Sequence, residues 1–117
     1  DIAKARAGLA SGDNIWASGE WNKAVDAYKK AWDDAQHAMD NLVLAEKARA
    51  ERLQVKALST PVSNPNNQAN VTKSITAGQQ NLAAGNAAYG SGDYKKAEDA
   101  YQKAQEHFWQ AIHQALN

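Results

Sequence analysis

The sequence predicts an all-α fold, with four helices arranged as two helix-turn-helix hairpins that pack as a small helical bundle. One observation is that apolar residues recur at steps of three and four along most of the chain, which marks one face of a helix. Another is an internal duplication: of the 23 residues from Leu9 to Ala31, twelve are identical to the residue 73 positions later. Such self-similarity indicates a duplicated structural unit.

The first helix of each hairpin is predicted from one face of apolar or small residues. The face consists of Ile2, Ala5, Leu9, Gly12 and Trp16 in the first copy and of Ile75, Gly78, Leu82, Gly85 and Tyr89 in the second. We place Gly12 and Gly85 where two helices cross. Leucine at either position is therefore expected to overpack the contact, whereas alanine is expected to be tolerated.

The second helix of each hairpin is one-sided in the same way. Its apolar face is Trp21, Val25, Tyr28, Trp32, Ala35, Met39 and Leu42 in the first copy and Tyr94, Ala97, Tyr101, Ala104, Phe108, Ile112 and Ala115 in the second. A one-sided helix must pack against another element. The aromatic residues on these two faces are therefore expected to belong to the core, namely Trp21, Tyr28, Trp32, Tyr94, Tyr101 and Phe108.

A tight turn is predicted between the two helices of each hairpin. Ser18-Gly19 and Ser91-Gly92 interrupt the helical pattern, and each glycine can adopt a positive φ. Glu20 and Asp93 follow directly, near the start of the next helix, where free N–H groups favour negative charge.

The second helix is predicted to be much longer than the others. Residues 43–58 contain no helix breaker and are rich in strong helix formers, so we expect the helix to continue to about Leu58. Its apolar stripe thins there because charged residues, Glu46 among them, continue the face. An isolated helix of about 15 residues is marginal in water. We therefore expect Leu44, Leu53 and Leu58 to hold it against the second hairpin or a second chain.

A single linker interrupts the helical pattern. Pro61 and Pro65 remove backbone donors, and the asparagines around them favour turns. The predicted organisation is one all-helical domain, 1–117, made of a first hairpin with an extended second helix at 1–58, a linker at 59–68 and a second hairpin at 69–117.

These hairpins resemble the tetratricopeptide repeat, a helix-turn-helix unit with small residues at helix contacts and an aromatic residue in its second helix. The matching positions are Asn81, Ala84, Gly85, Ala88, Ala97, Tyr101 and Trp109 in the second copy and Gly8, Ser11, Gly12, Ile15, Ala24, Tyr28 and Gln36 in the first. The opening tryptophan-leucine pair and the closing proline of the repeat are missing. Without that proline, the second helix has no stop signal.

Two such units are fewer than the three or more that a free-standing array usually needs, so their open faces must be covered. The hairpins can close on each other as a four-helix bundle, the long helix can cap them, or two chains can pair as a homodimer. We favour a compact pair of hairpins with the long helix partly covering the core.

Composition excludes several classes of function. Lysine plus arginine equals aspartate plus glutamate at 13 each, so no strong field attracts nucleic acid. No apolar run approaches the ~20 residues that cross a bilayer, so we expect no membrane insertion. The start at Asp1 indicates a periplasmic or secreted protein after processing, or a cytoplasmic one if the chain begins at the edge of a cut domain.

No motif in the sequence predicts catalysis, a metal or a cofactor. His107 and His113 lie on different faces of one helix, and His37 has no close sequence partner. Paired carboxylates such as Asp33 and Asp34 are typical of solvated helix faces. Serine nucleophile motifs and phosphate-binding glycine loops are absent, so we expect no enzyme, no metal site and no cofactor.

The resemblance implies that the first helix of each hairpin lines a groove for a peptide or protein. Asp13 with Trp16, and Asn86 with Tyr89, are the residues that would face it: the polar side chain can bind a peptide backbone and the aromatic ring supplies contact area. Packing within or between the hairpins is the other interpretation of these four residues. The leading hypothesis is a non-catalytic protein- or peptide-binding module. The alternatives are a small exported bundle that binds a metal ion or small ligand, and a structural or self-assembling subunit.

Overall fold

A computed structural model describes residues 2–17 and 19–117 of the chain. Within this part there are four α-helices and no strand: α1 (Ile2–Ala17), α2 (Trp21–Ser59), α3 (Gln68–Gly90) and α4 (Tyr94–Leu116). A short 3₁₀ helix, Pro65–Asn67, precedes α3. The predictions of an all-α fold and of a long second helix are confirmed. Asp1 and Ser18, used above for the chain start and the first turn, lie outside the described residues.

The chain divides into two compact units, residues 1–41 and residues 42–117. The division falls inside α2. The first unit therefore contains α1 and the first half of α2, whereas the second contains the remainder of α2, the linker, α3 and α4. The second half of α2 thus groups with the second hairpin.

In the first unit, α1 and the first half of α2 meet through small residues. Gly12 is buried, and a Cβ built on it would lie 2.6 Å from Cε1 of Tyr28. A Cβ on Gly8 would lie 3.0 Å from the Cβ of Ala31. Helices this close exclude larger side chains from the contact. The buried residues of this hairpin are accordingly small, namely Ala5, Gly12, Ala24 and Ala31.

In the second unit, α3 and α4 form a hairpin with a larger core. Gly85 and Gly78 of α3 face the rings of Tyr101 and Phe108, and an added Cβ would lie 2.5 Å from Cε1 of each ring. Tyr101 and Phe108 are fully buried, as predicted. The glycines on α3 therefore make room for the two rings of α4.

The second half of α2 contributes a stripe of small residues to this core. Val43, Ala50 and Ala57 are buried, and they belong to the same hydrophobic clusters as Tyr101 and Phe108. Of the two alternatives predicted for this segment, the second hairpin or a second chain, the structure shows the second hairpin. The residues named for this contact were partly wrong. Of the three predicted leucines, Leu53 packs against the cluster, whereas Leu44 and Leu58 are exposed.

A polar contact fixes the second half of α2 against α4. Glu46 is buried, and its Oε2 accepts a hydrogen bond of 2.7 Å from Nε2 of Gln105. Its Oε1 lies 2.6 Å from Nη1 of Arg49 on the same helix. The charged residue that thins the apolar stripe therefore has partners in the fold, as a buried charge requires.

Both turns end their first helix with a glycine of positive φ, as predicted. Gly19 has φ 81° and Gly92 has φ 80°. The N–H groups of Glu20 and Asp93 donate to carbonyls five residues back, Glu20 to Ile15 at 3.3 Å and Asp93 to Ala88 at 3.0 Å. This is a Schellman cap, which requires the left-handed residue that glycine supplies. Asp93 then caps α4, because its side chain accepts from the backbone N–H of Lys96.

Candidate functional site

The two polar residues of the predicted site are bound within their own hairpins. The hydroxyl of Tyr28 donates to Oδ1 of Asp13 at 2.5 Å, and the hydroxyl of Tyr101 donates to Oδ1 of Asn86 at 2.7 Å. The two bonds occupy positions 73 residues apart. Each one joins the first helix of a hairpin to the second, so these oxygens contribute to hairpin packing.

The two aromatic residues of the predicted site pair across the turns. The rings of Trp16 and Trp21 are stacked, with centroids 5.7 Å apart. Tyr89 and Tyr94 make the corresponding contact at 5.6 Å. Asp13 and Trp16 lie one helical turn apart on α1, and Asn86 and Tyr89 do so on α3. The structure therefore places the four residues as two equivalent pairs in two different units.

Burial and hydrogen bonding shift the titration of the two tyrosines that join the helices. The hydrogen bond to Asp13 raises the pKa of Tyr28 above its usual value of 10.0, with smaller contributions from burial and from the charge of that carboxylate. For Tyr101, burial raises the pKa, and the charge of Glu51 adds to the effect. Both hydroxyls therefore stay protonated to higher pH than that of a free tyrosine.

The main difference between the two hairpins is the exposure of one apolar stripe. Ile2, Leu9 and Trp16 on α1 are spaced by seven residues, and they are 51%, 50% and 52% exposed. Trp21, which stacks on Trp16, is 62% exposed. We call Ile2, Leu9, Trp16 and Trp21 the first-hairpin stripe. Large apolar side chains in a row at this exposure are unusual for a packed helix.

The corresponding stripe of the second hairpin is covered. Each of its residues is only partly accessible and packs against the hydrophobic clusters to which the second half of α2 contributes. These residues are Ile75, Leu82, Tyr89 and Tyr94. The two hairpins thus present equivalent stripes, of which one is covered by a helix and the other is open.

The open surface continues along the first half of α2. Val25 and Trp32 follow Trp21 on the same face, and with Tyr28, Lys29 and Asp33 they line a shallow depression of about 410 Å³. Trp32 is 66% exposed. The prediction that Trp21 and Trp32 belong to the core is therefore wrong, because both side chains are more than half exposed. We call the first-hairpin stripe together with Val25 and Trp32 the Trp face.

The Trp face can be recognised in the sequence when the two copies are compared residue by residue, although the apolar periodicity alone does not show it. Trp32 and Val25 correspond to Gln105 and Glu98 in the second copy. The first copy is thus more apolar at two positions although its core is smaller. Apolar residues in excess of what the core needs indicate a surface that contacts another molecule.

Other depressions in the described part of the chain are weaker candidates for a binding site. A depression of about 510 Å³ lies between the end of α2 and the start of α3 and has a mixed lining that includes Ala57, Pro61 and Gln68. A smaller one, of about 320 Å³, lies beside Trp109, over whose ring the Nζ of Lys56 sits at 5.5 Å. Among residues 2–17 and 19–117, no group of three histidine, aspartate or glutamate side chains is placed to bind a metal ion.

Two further findings, on membrane-spanning helices and on similarity to known proteins, do not add to this geometry. In the described part of the chain, no helix combines the length and the apolar character needed to cross a bilayer. Comparisons of the chain with known protein families, with curated proteins and with solved structures give no match.

Proposed function

We propose that this chain is a non-catalytic helical module that binds another protein through the Trp face of its first hairpin. The observation that carries the proposal is the contrast between the two stripes. Ile2, Leu9 and Trp16 are about half exposed, whereas their counterparts in the second hairpin are packed under a helix. The same kind of surface is thus covered at one place in the chain and open at another.

The size of the Trp face supports binding to a macromolecule. A covered aromatic side chain buries roughly 150–250 Å². Trp16, Trp21 and Trp32 are all more than half exposed, so together they offer on the order of 300 Å² before the aliphatic residues are added. Patches of several hundred Å² mark interaction surfaces, and tryptophan is enriched among the residues that dominate binding energy.

The proposal keeps the hypothesis that the protein binds a peptide or protein, but it assigns binding to the aromatic residue Trp16 and not to the polar residues of the predicted site. Trp16 lies on the open stripe and is a binding residue in this proposal. Asp13 accepts a hydrogen bond from Tyr28 and so serves to position the two helices that carry the face, whereas Asn86 accepts one from Tyr101 and does the same for the second hairpin. The hairpins remain similar to tetratricopeptide units in this proposal, with the apolar face as the recognition element.

A cross-linking experiment with a matched control tests the proposal. A photoreactive amino acid is placed at Leu9, on the stripe, or at Ser11, which is also exposed but lies about 200° further around α1. Partners captured from the source cells are identified by mass spectrometry, and binding is then measured with the purified partner. We expect Leu9→Lys to weaken that binding by about 30-fold or more, the loss of a central contact residue, and Ser11→Lys to preserve it. Equal affinities for the two variants would contradict the proposal.

A further inference from the structure

We infer that the partner of the Trp face is an α-helix carrying small apolar residues at seven-residue intervals. This inference rests on the proposed function and specifies the chemistry of the partner. The chain itself provides an example of such a helix, because the second half of α2 covers the equivalent face of the second hairpin.

The covering segment uses one stripe of small residues. Val43, Ala50 and Ala57 are spaced by seven, and their exposed fractions are 0%, 0% and 2%. Val43 shares a cluster with Ala88, near the end of α3, whereas Ala57 shares one with Val71, near its start. The segment therefore runs antiparallel to α3.

Large and small residues alternate across this contact. The large residues come from α3, where Ile75, Leu82 and Tyr89 are also spaced by seven. Small residues on the facing helix let the two backbones approach while the large side chains fill the space between them. The first hairpin supplies Ile2, Leu9 and Trp16 at the same spacing, so a helix of the same kind fits it.

At one position, that of Glu46, the partner helix is expected to differ from the chain's own segment. On the second hairpin, Gln105 donates hydrogen bonds to the side chain and the carbonyl of Glu46. The corresponding residue of the first hairpin is Trp32, which has one indole N–H, at the edge of its ring, in place of the two amide N–H groups of Gln105. A carboxylate placed over the apolar face of that ring would lose water without reaching this donor. The partner helix therefore carries an apolar residue where the chain's own segment has Glu46.

The test uses a peptide of residues 42–59 with Glu46→Leu as a probe. A covalent staple between positions 48 and 52, both exposed on α2 and on the side away from the small stripe, keeps it helical. The probe carries a fluorophore at its N-terminus, and its fluorescence anisotropy is titrated with the parent chain, with Leu9→Lys and, as the control, with Ser11→Lys. We expect saturable binding to the parent chain and to Ser11→Lys, and binding at least about tenfold weaker to Leu9→Lys. A peptide that also carries Ala50→Glu should bind at least about tenfold more weakly, because it places a charge in the contact.

The outcomes separate this inference from the proposed function. No saturable binding of the probe at about 1 mM, the weak end of specific recognition, overturns the inference. If a cross-linked partner still depends on Leu9 in that case, the proposed function stands with a non-helical partner. If no partner is captured either, both fail. Self-association of the parent chain that Leu9→Lys abolishes and Ser11→Lys preserves would show that a second copy covers the face, which also overturns the inference.

Discussion

Four glycine positions decide how closely the helices of each hairpin approach. Gly12 faces the ring of Tyr28, and Gly85 and Gly78 face the rings of Tyr101 and Phe108, with no room for a Cβ in any of the three cases. The fourth, Gly8, faces Ala31. The tyrosine hydroxyls then reach across to Asp13 and Asn86. At Gly12 and Gly85, a glycine and a tyrosine ring therefore set both the spacing of the helices and their polar contact.

Substitution of Gly85 tests this spacing. An added Cβ would lie 2.5 Å from Cε1 of Tyr101, and that ring is fully buried. We therefore expect Gly85→Ala to destabilise the second unit by about 1–3 kcal/mol, contrary to the tolerance expected from the sequence. Gly90→Ala is the matched control on the same helix, because nothing lies within 4 Å of its added Cβ. Chemical unfolding should show no loss for Gly90→Ala and a gain of up to about 1 kcal/mol. Equal stabilities for the two variants would show that the crossing is looser than described.

The raised pKa values of Tyr28 and Tyr101 predict a loss of stability at alkaline pH. In both cases the folded-state pKa lies above the unfolded value of 10.0. Their stabilising effect is therefore fully present below pH 10 and is lost as the pH rises through the folded-state values. Asp13→Asn removes the charged acceptor of Tyr28. Tyrosinate absorbance should show one tyrosine that ionises earlier in this variant than in the parent chain. An unchanged titration curve would mean that Asp13 does not influence Tyr28.

At the scale of elements, the sequence predicted the extent of α2 but not which residues of α2 are buried. Periodicity and the glycine turns predicted the helices because those signals are local. They could not decide which faces are covered, since that depends on segments distant in sequence. Leu44 and Leu58 were expected to anchor the helix because they are large, yet Ala50 and Ala57 do so. Where backbones pack closely, small residues carry the contact.

Enlarging the small stripe of α2 tests this assignment. Ala50 is fully buried in the cluster, so Ala50→Leu should overpack it and destabilise the second unit by about 1–3 kcal/mol. Ala48, two residues earlier, is exposed, so Ala48→Leu should change stability by no more than about 0.5 kcal/mol. Hydrogen exchange of residues 43–58 is the measurement. Faster exchange in both variants, or in neither, would place the buried face elsewhere.

The candidate site was predicted only in part, because the burial of an apolar face depends on segments distant in sequence. Trp16 was identified by its position in the duplicated hairpin, and it lies on the open stripe. Trp21 and Trp32 were assigned to the core because their spacing fits a buried face. Spacing shows that a helix has an apolar side, but it does not show whether the chain contains a segment to cover that side.

At the scale of the whole molecule, the two units differ in how complete they are. The second unit buries Tyr101, Phe108 and Val43 under three helical segments. The first unit has two helical segments in its described part, residues 2–17 and 19–41, and apart from Gly12 the buried residues there are alanines. Its larger apolar side chains lie on the surface instead. This difference is the reason for our proposal that a partner supplies the third segment of the first unit.

The accessibility of two equivalent leucines tests this account most directly. Leu9 and Leu82 lie 73 residues apart, one on the open stripe and one on the covered stripe. Because the chain has no cysteine, Leu9→Cys and Leu82→Cys each provide a single reactive thiol. We expect the thiol at position 9 to react with a thiol reagent nearly as fast as in the unfolded chain. The thiol at position 82 should react about tenfold more slowly, because the covering helix must open first. Equal rates in the folded protein, or slower reaction at position 9, would contradict the account.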